Sequence, residues 1–237
     1  MIGSIVVSRA REMGLALPDG AGEQFDIYYR MLVETNKVMN LCRGLEDEGE
    51  AADRHFVDSL TLLLALDVPQ GARVMDVGSG AGFPGIPLAI ARPDMEILLL
   101  DSLGKRVRFL ESVIGELGLH ARAEHGRCED AGREKGKREQ YDLVTARAVA
   151  SMNVLCEWLS PFCRVGGRVA ALKGPSVDEE IKEAARAMRE TRLRLDRVAA
   201  IAPPGRDWDH RVVLLTKTGP LPAAYPRKSG EARQKPL

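Results

Sequence analysis

Two textures divide the chain. Through residues 1–66, apolar positions recur at helical spacing: Phe25, Tyr28, Tyr29, Leu32 and Val33 form one stripe, and His55, Phe56, Leu60, Leu63 and Leu64 a second. Between them, Leu41–Glu50 carries Gly44, Gly49 and an acidic run and reads as a loop, and Asp67-Val-Pro-Gln-Gly71 breaks the helical pattern. From residue 73, short apolar runs alternate with amphipathic stretches. The spacing predicts strands at Arg73–Val77, Glu96–Asp101, Ala121–His125, Tyr141–Ala146, Arg168–Leu172, Arg192–Ile201 and Arg211–Lys217. Helices are expected over Gly85–Ala91, Lys105–Leu117, Met152–Ser160 and Val177–Arg189. This alternation predicts an α/β fold, with a seven-stranded, mostly parallel sheet and helices on both faces. The last two strands are joined by Ala202–His210, too short for a helix, so they are expected to pair antiparallel at one end of the sheet. The reading is therefore a helical extension (1–66), a sheet domain (67–218) and a proline-rich basic tail (219–237) that is extended, either ordered on the body or disordered.

The length, 237 residues, suits one large domain or one domain with a small appendage, and the 45% hydrophobic share excludes a fully disordered chain. Lys+Arg and Asp+Glu number 34 each. Residues 1–70 hold 6 basic and 12 acidic residues, so residues 71–237 hold 28 and 22. Any nucleic-acid surface is thus expected on the C-terminal two-thirds. Cys42, Cys128, Cys156 and Cys163 form no CxxC pair and no cluster with histidine, which reads as scattered thiols in a reducing compartment without a metal site. No apolar run approaches the roughly 20 residues of a membrane span, and the N-terminus does not read as a signal peptide. A soluble, cytoplasmic protein is expected.

The strand ending at Val77 feeds Gly78-Ser-Gly80-Ala-Gly82-Phe-Pro-Gly85. A dinucleotide fingerprint G-x-G-x-x-G requires its third glycine at position 83, which is Phe83, and no Walker pattern is present. The glycines follow G-x-G-x-G, with Asp76 two residues before the first. This arrangement resembles motif I of the class I methyltransferases that use S-adenosylmethionine, and it implies a Rossmann-like domain. Asp101 closes the next strand, where a carboxylate can accept hydrogen bonds from a ribose diol. A helix N-cap is its bland alternative, or the two roles are split with Ser102 as the cap. In the fold this resembles, the third strand tip lies beside the adenine, which points to Glu129 and the backbone of Cys128. The fourth tip faces the transferred methyl and here carries Thr145-Ala-Arg147-Ala. It lacks the [NDS]-P-P-[YFW] motif of exocyclic-amine methylation, and the chain has no Pro-Cys nucleophile.

Further stretches carry a narrower resemblance: Asn36-Lys-Val-Met-Asn40-Leu, Arg54-His55-Phe-Val-Asp58-Ser59-Leu, the Gly-Phe-Pro-Gly-Ile-Pro87 extension of the loop, Gly126-Arg127-Cys-Glu129, Leu172-Lys173-Gly174, and Tyr225-Pro-Arg-Lys-Ser-Gly230 before Lys-Pro-Leu237. Together they resemble the glucose-inhibited division protein B family, the bacterial small-subunit (16S) ribosomal RNA guanine-N7 methyltransferases, over nearly the whole chain. Cys128 and Ala146 depart from the family's usual Ala and Ser or Thr. The resemblance implies a cofactor site of Asp76, Gly78, Gly80, Gly82, Phe83, Asp101, Cys128, Glu129 and Arg147. It also implies methylation of small-subunit ribosomal RNA, free or in the 30S particle, with no metal and no membrane. Arg147 and Lys173 are expected to flank the point of transfer, Arg127 and Arg211 to touch RNA, and Arg227-Lys228 to clamp phosphates. His55 and Asp58, three apart on one helical face, read first as a structural pair, as do Asn36 and Asn40. The run Arg133–Arg138 reads as a solvated loop, and Trp158 as core. Two other readings share the loop: a methyltransferase of proteins or small molecules, and a non-catalytic ribosome-assembly factor. A focused basic rim favours RNA.

Overall fold

The computed structural model describes all 237 residues. The chain opens with helices α1 (Ile2–Glu12), α2 (Ala21–Met39), α3 (Glu48–Ala51) and α4 (Asp58–Ala65), the last two joined by a π-helical turn over Ala52–Val57. The strands are β1 (Arg73–Val77), β2 (Glu96–Asp101), β3 (Ala121–His125), β4 (Tyr141–Arg147), β5 (Cys163–Lys173), β6 (Leu193–Ala200) and β7 (Arg211–Lys217). Between and after them run α5 (Gly85–Ala91), α6 (Gly104–Leu117), α7 (Cys128–Ala131), α8 (Met152–Leu159), α9 (Val177–Glu183), α10 (Ala185–Glu190) and α11 (Glu231–Gln234).

One sheet runs in the order β3-β2-β1-β4-β5-β7-β6. Pairs among β1 to β5 are parallel, whereas β7 pairs antiparallel with both neighbours, as the short β6–β7 connection requires. Strand side chains alternate between two cores. Val74, Ile97, Leu99, Leu143 and Leu214 face α1, α2, α4, α5, α6 and the π-helical turn; Met75, Leu98, Val144, Val169 and Leu215 face α8, α9 and α10. The N-terminal helices therefore share one core with a sheet face. The strand order reverses between β1 and β4, and that switch point is where open α/β sheets hold ligands, outside the carboxyl ends of the strands.

Several elements depart from the sequence expectation. β5 begins at Cys163 rather than Arg168, because Gly166 (φ 80°) and a register shift between Tyr141 and Leu143 let the strand continue through an irregularity. The expected helix over Val177–Arg189 breaks at Ala184, whose side chain is fully buried, so packing overrides local propensity there. The tail is ordered against the body and forms α11. Its Leu221, Pro226 and Ala232 are buried, Arg138 donates to the carbonyls of Leu221 (3.1 Å) and Tyr225 (3.0 Å), and Arg133 donates to that of Pro226. The run expected to be a solvated loop thus supplies the tail's anchors.

Candidate active site

β1 hands the chain to the glycine loop, whose Gly78 and Ser79 N–H groups donate to the carbonyl of Leu100 (2.7 and 3.2 Å) and fold the loop over the end of β2. Gly78 (φ 73°) and Gly80 (φ 61°) are in the left-handed region. A Cβ at Gly80 would find its nearest atom at 3.8 Å, so this is the open side of the loop. Gly82 is different. A Cβ there would lie 2.7 Å from both Ile86 Cγ1 and Tyr28 Oη, so its missing side chain serves packing against α2 and α5. Asp76 also stands behind the loop rather than on its ligand side. It is fully buried, its Oδ2 accepts from Gly85 N (3.1 Å), and its Oδ1 has no partner. Burial raises its pKa to about 7 against the lowering effects of Ser79, Gly85 and Arg147. Gly82 and Asp76, both expected at the cofactor, stand in the packing that supports the loop.

Asp101, at the end of β2, is 3% exposed and accepts two backbone N–H groups: Gly80 on Oδ2 and Leu103 on Oδ1, both at 2.9 Å. Arg106 Nη1 lies 3.5 Å from Oδ2. One carboxylate thus pins the glycine loop to the start of α6, and its remaining lone pairs leave room for a ligand's donors. Neither Asp101 nor Ser102 caps α6: the helix starts after Leu103 with no side-chain cap, and Asp101 holds the Leu103 N–H just before it.

A cleft of about 500 Å³ opens beside the loop, lined by Gly78–Ala81, Phe83, Arg147, Lys173 and Arg211, and closed from the N-terminal side by Cys42, Arg54, His55 and Asp58. Arg147 is its hub. Nη1 donates to Asp58 Oδ2 (3.0 Å) and to the carbonyl of Arg54 (3.1 Å), Nη2 lies 3.4 Å from His55 Nδ1, and Cζ sits 4.8 Å from the Phe83 ring centroid. His55 stacks on Phe83 at 5.1 Å. Its Nε2 meets the Arg43 carbonyl at 2.7 Å, which assigns the proton to Nε2 and leaves Nδ1 as the acceptor toward Arg147. Burial first, then the Arg147 charge, lowers its pKa to about 4. The second oxygen of Asp58 accepts from His210 Nδ1 at 2.7 Å. His55 and Asp58 therefore meet through Arg147 rather than pairing with each other. The π-helical turn just before Asp58 is the local device that turns them to the cleft. Asn36 accepts from Leu41 N (2.6 Å) and Cys42 N (3.1 Å), and Asn40 ends α2 at φ 43°; both are structural.

Lys173 lines the cleft, but its ammonium is held by Glu180 Oε2 (2.6 Å) and the Ala150 carbonyl (3.0 Å). That pairing makes it a poor candidate for the reacting point. Arg211 pairs with exposed Asp209, and Arg54 with Glu50 at 2.6 Å. Such exposed pairs are weak and exchange readily for a phosphate. Sequence reasoning missed His210 and Arg106. The signal for His210 was topological: β7 returns antiparallel with Arg211 opposite Lys173, which carries the preceding residue to the cleft.

A second cavity of about 160 Å³ shares Gly78 with the first and is lined by Leu100, Ser102, Gly126, Arg127, Cys128, Glu129, Val149, Trp158, Gly230 and Arg233. Arg127 and Lys228 are exposed. Glu129 is 4% exposed, and its Oε1 accepts from Gly230 N at 3.0 Å, so its carboxylate is tied to the tail. Burial, and then Glu129, push the Cys128 thiol well above its ordinary range, which marks it as a wall and not a nucleophile. Arg227 is not a phosphate clamp. Its Nη2 and Nε donate to Glu157 at 2.6 and 3.0 Å, and Glu157 is 1% exposed, so this guanidinium neutralises a buried carboxylate.

With this geometry in hand, the comparisons with known proteins are specific. The profile of the family described as rRNA small subunit methyltransferase G matches residues 21–206. The chain belongs to that family. It is 43% identical over 229 residues to the ribosomal RNA small subunit methyltransferase G of Desulforamulus reducens, covering 96% of this chain and 95% of the relative. To the protein of the same name from Brevibacillus brevis it is 42% identical over 225 residues, covering 94% of each. Among solved structures, the fold is similar to the YcgJ protein of Bacillus subtilis (TM-score 0.52, 12% identity, 70% of this chain and 100% of that one). It is also similar to Aeropyrum pernix fibrillarin with bound S-adenosyl-L-methionine (TM-score 0.51, 16% identity, 65% and 72%). The family and the Rossmann-like fold expected from the sequence are those found.

Proposed function

We propose that the two joined cavities hold S-adenosylmethionine along the glycine loop, and that the cleft presents N7 of one guanine of small-subunit ribosomal RNA to its methyl group. As a member of its family, the enzyme is an S-adenosylmethionine-dependent methyltransferase of that RNA. The residues present fit the cofactor. Gly80 leaves the loop open, Asp101 keeps free lone pairs, and the second cavity has the size of a nucleobase. Gly78, Gly80 and Phe83 would take the amino-acid end, Asp101 the ribose, and the backbone at Cys128–Glu129 the adenine edge. When bound, the cofactor supplies an electrophilic methyl on a sulfonium.

The observation that carries the acceptor is the composition of the cleft. Arg54, Arg106, Arg147, Lys173 and Arg211 line it with one carboxylate, Asp58, while Glu50, Asp101, Glu180 and Asp209, which pair with four of these cations, stand outside the lining. A focused basic rim suits a polyanion. Guanine N7 bears a lone pair and no proton, so the residues have only to hold the base in line and exclude water, which is catalysis by orientation. In this reading Arg147, fixed on both sides, holds the base near the loop, and Arg54, Arg106 and Arg211 contact phosphates. Single-turnover methylation of small-subunit particles by Arg147→Ala, with cofactor affinity measured in parallel, tests this. A large loss of rate is expected; a wild-type rate would move the substrate mouth elsewhere.

A further inference from the structure

The C-terminal tail was expected to reach for RNA, yet its Gly230 and Arg233 line the second cavity. Three observations converge there. The Gly230 N–H is bonded to Glu129, which adjoins Cys128 on the cavity wall, so tail and wall are ordered together. The Arg233 guanidinium lies 4.9 Å from the ring centroid of Trp158, another wall residue, and donates to the Val149 carbonyl at 3.2 Å. It thereby bridges two residues of the cavity wall, Trp158 and Val149. The Arg227–Glu157 pair and the Arg138 bonds hold the tail against the body, and α11 buries Ala232. Arg233 is exposed, so it is not there to fill a core.

We infer that the tail is a wall of the cofactor site: Gly230 braces the adenine-side loop through Glu129, and Arg233 closes the cavity over the adenine ring as a binding residue. Arg227 and Glu157 are positioning residues for that wall. This inference rests on the reading of the two cavities as the S-adenosylmethionine site, and it assigns the tail to cofactor retention and not to phosphate contact.

The test is titration calorimetry of S-adenosylmethionine and of S-adenosylhomocysteine into the full-length wild type, Arg233→Ala, Arg233→Lys, Lys235→Ala and a chain ending at Thr218. Binding of a small-subunit RNA fragment is measured alongside. Loss of the stacked cation in Arg233→Ala should weaken both cofactor forms by about three- to tenfold. Arg233→Lys should fall between, Lys235→Ala should match the wild type, and RNA affinity should change less than about twofold in all three point variants. The shortened chain should lose more cofactor affinity still; if it does not fold, the exposed Arg233 substitutions carry the test alone. Unchanged cofactor affinity in Arg233→Ala, or a fall in RNA affinity without one in cofactor affinity, overturns the inference. A wild-type chain that took up neither cofactor form would overturn the underlying cofactor reading instead.

Discussion

Replacing Arg147 by Met keeps the aliphatic stem against Phe83 and removes the guanidinium from the middle of the cleft. The charge it leaves behind is poorly solvated: in the Arg147–Asp58 pair the side chains are 16% and 8% exposed. Orphaning one partner of a buried pair costs about 3–5 kcal/mol. Here Asp58 keeps its bond from His210 Nδ1 at 2.7 Å, so a loss of about 2–4 kcal/mol of unfolding free energy is expected, within what a domain of ordinary stability survives. Urea denaturation of the Met variant, of Asp58→Asn and of the double variant isolates the pair. The coupling energy should be about 1–2 kcal/mol. His55 supplies an independent readout, since the Arg147 charge is the second cause, after burial, that brings its pKa down to about 4. In the Met variant the His55 titration followed by NMR should move upward toward its ordinary value. A stability cost below about 0.5 kcal/mol, no coupling, and an unmoved His55 would together refute Arg147 as the hub.

Three further outcomes follow from the same geometry. Gly85→Ala drives a Cβ to 2.1 Å from Leu99 Cδ2 and should destabilise the fold by about 1–3 kcal/mol, whereas Gly80→Ala meets only left-handed strain and should chiefly weaken cofactor affinity; calorimetry and denaturation giving the opposite ranking would reverse the roles assigned to these glycines. Asp76 has its folded pKa raised to about 7 from 3.8, so the wild type should lose stability relative to Asp76→Asn as pH rises across that window and no further above it, by up to about 4 kcal/mol; a difference that stays flat with pH would show that Asp76 is ionised without penalty. His55 has its folded pKa lowered to about 4 from 6.5, so its stability is present above 6.5 and lost as pH falls, by up to about 3 kcal/mol; His55→Phe should flatten that acid limb, and an unchanged limb would assign it to other groups.

The sheet was legible because its central strands, buried on both faces, read as short apolar runs, and its helices as a period of 3.6. β1, β2, β3 and β7 fall on the residues predicted, and the glycine spacing pointed to the right cofactor class before any coordinates. What stayed hidden was tertiary pairing. No spacing rule joins Asp58 to His210, Arg227 to Glu157, or Gly230 to Glu129, since each pair is brought together only by folding. The tail misled for that reason. Its Arg and Lys residues resemble a basic arm, yet one arginine neutralises a buried glutamate and another lines a cavity. Likewise Gly82 looks identical to Gly80 in the motif and differs in what stands where its side chain would be.

The central claim is met most directly by incubating small-subunit particles lacking the modification with this protein and S-adenosylmethionine, then mapping the RNA by mass spectrometry and by strand cleavage at N7-methylated guanine. The account predicts one new methyl group, on one guanine, at N7, with cleavage at that nucleotide and none when the cofactor is withheld. Methyl transfer to another atom or another base, or an unmodified RNA in the presence of bound cofactor, would contradict it.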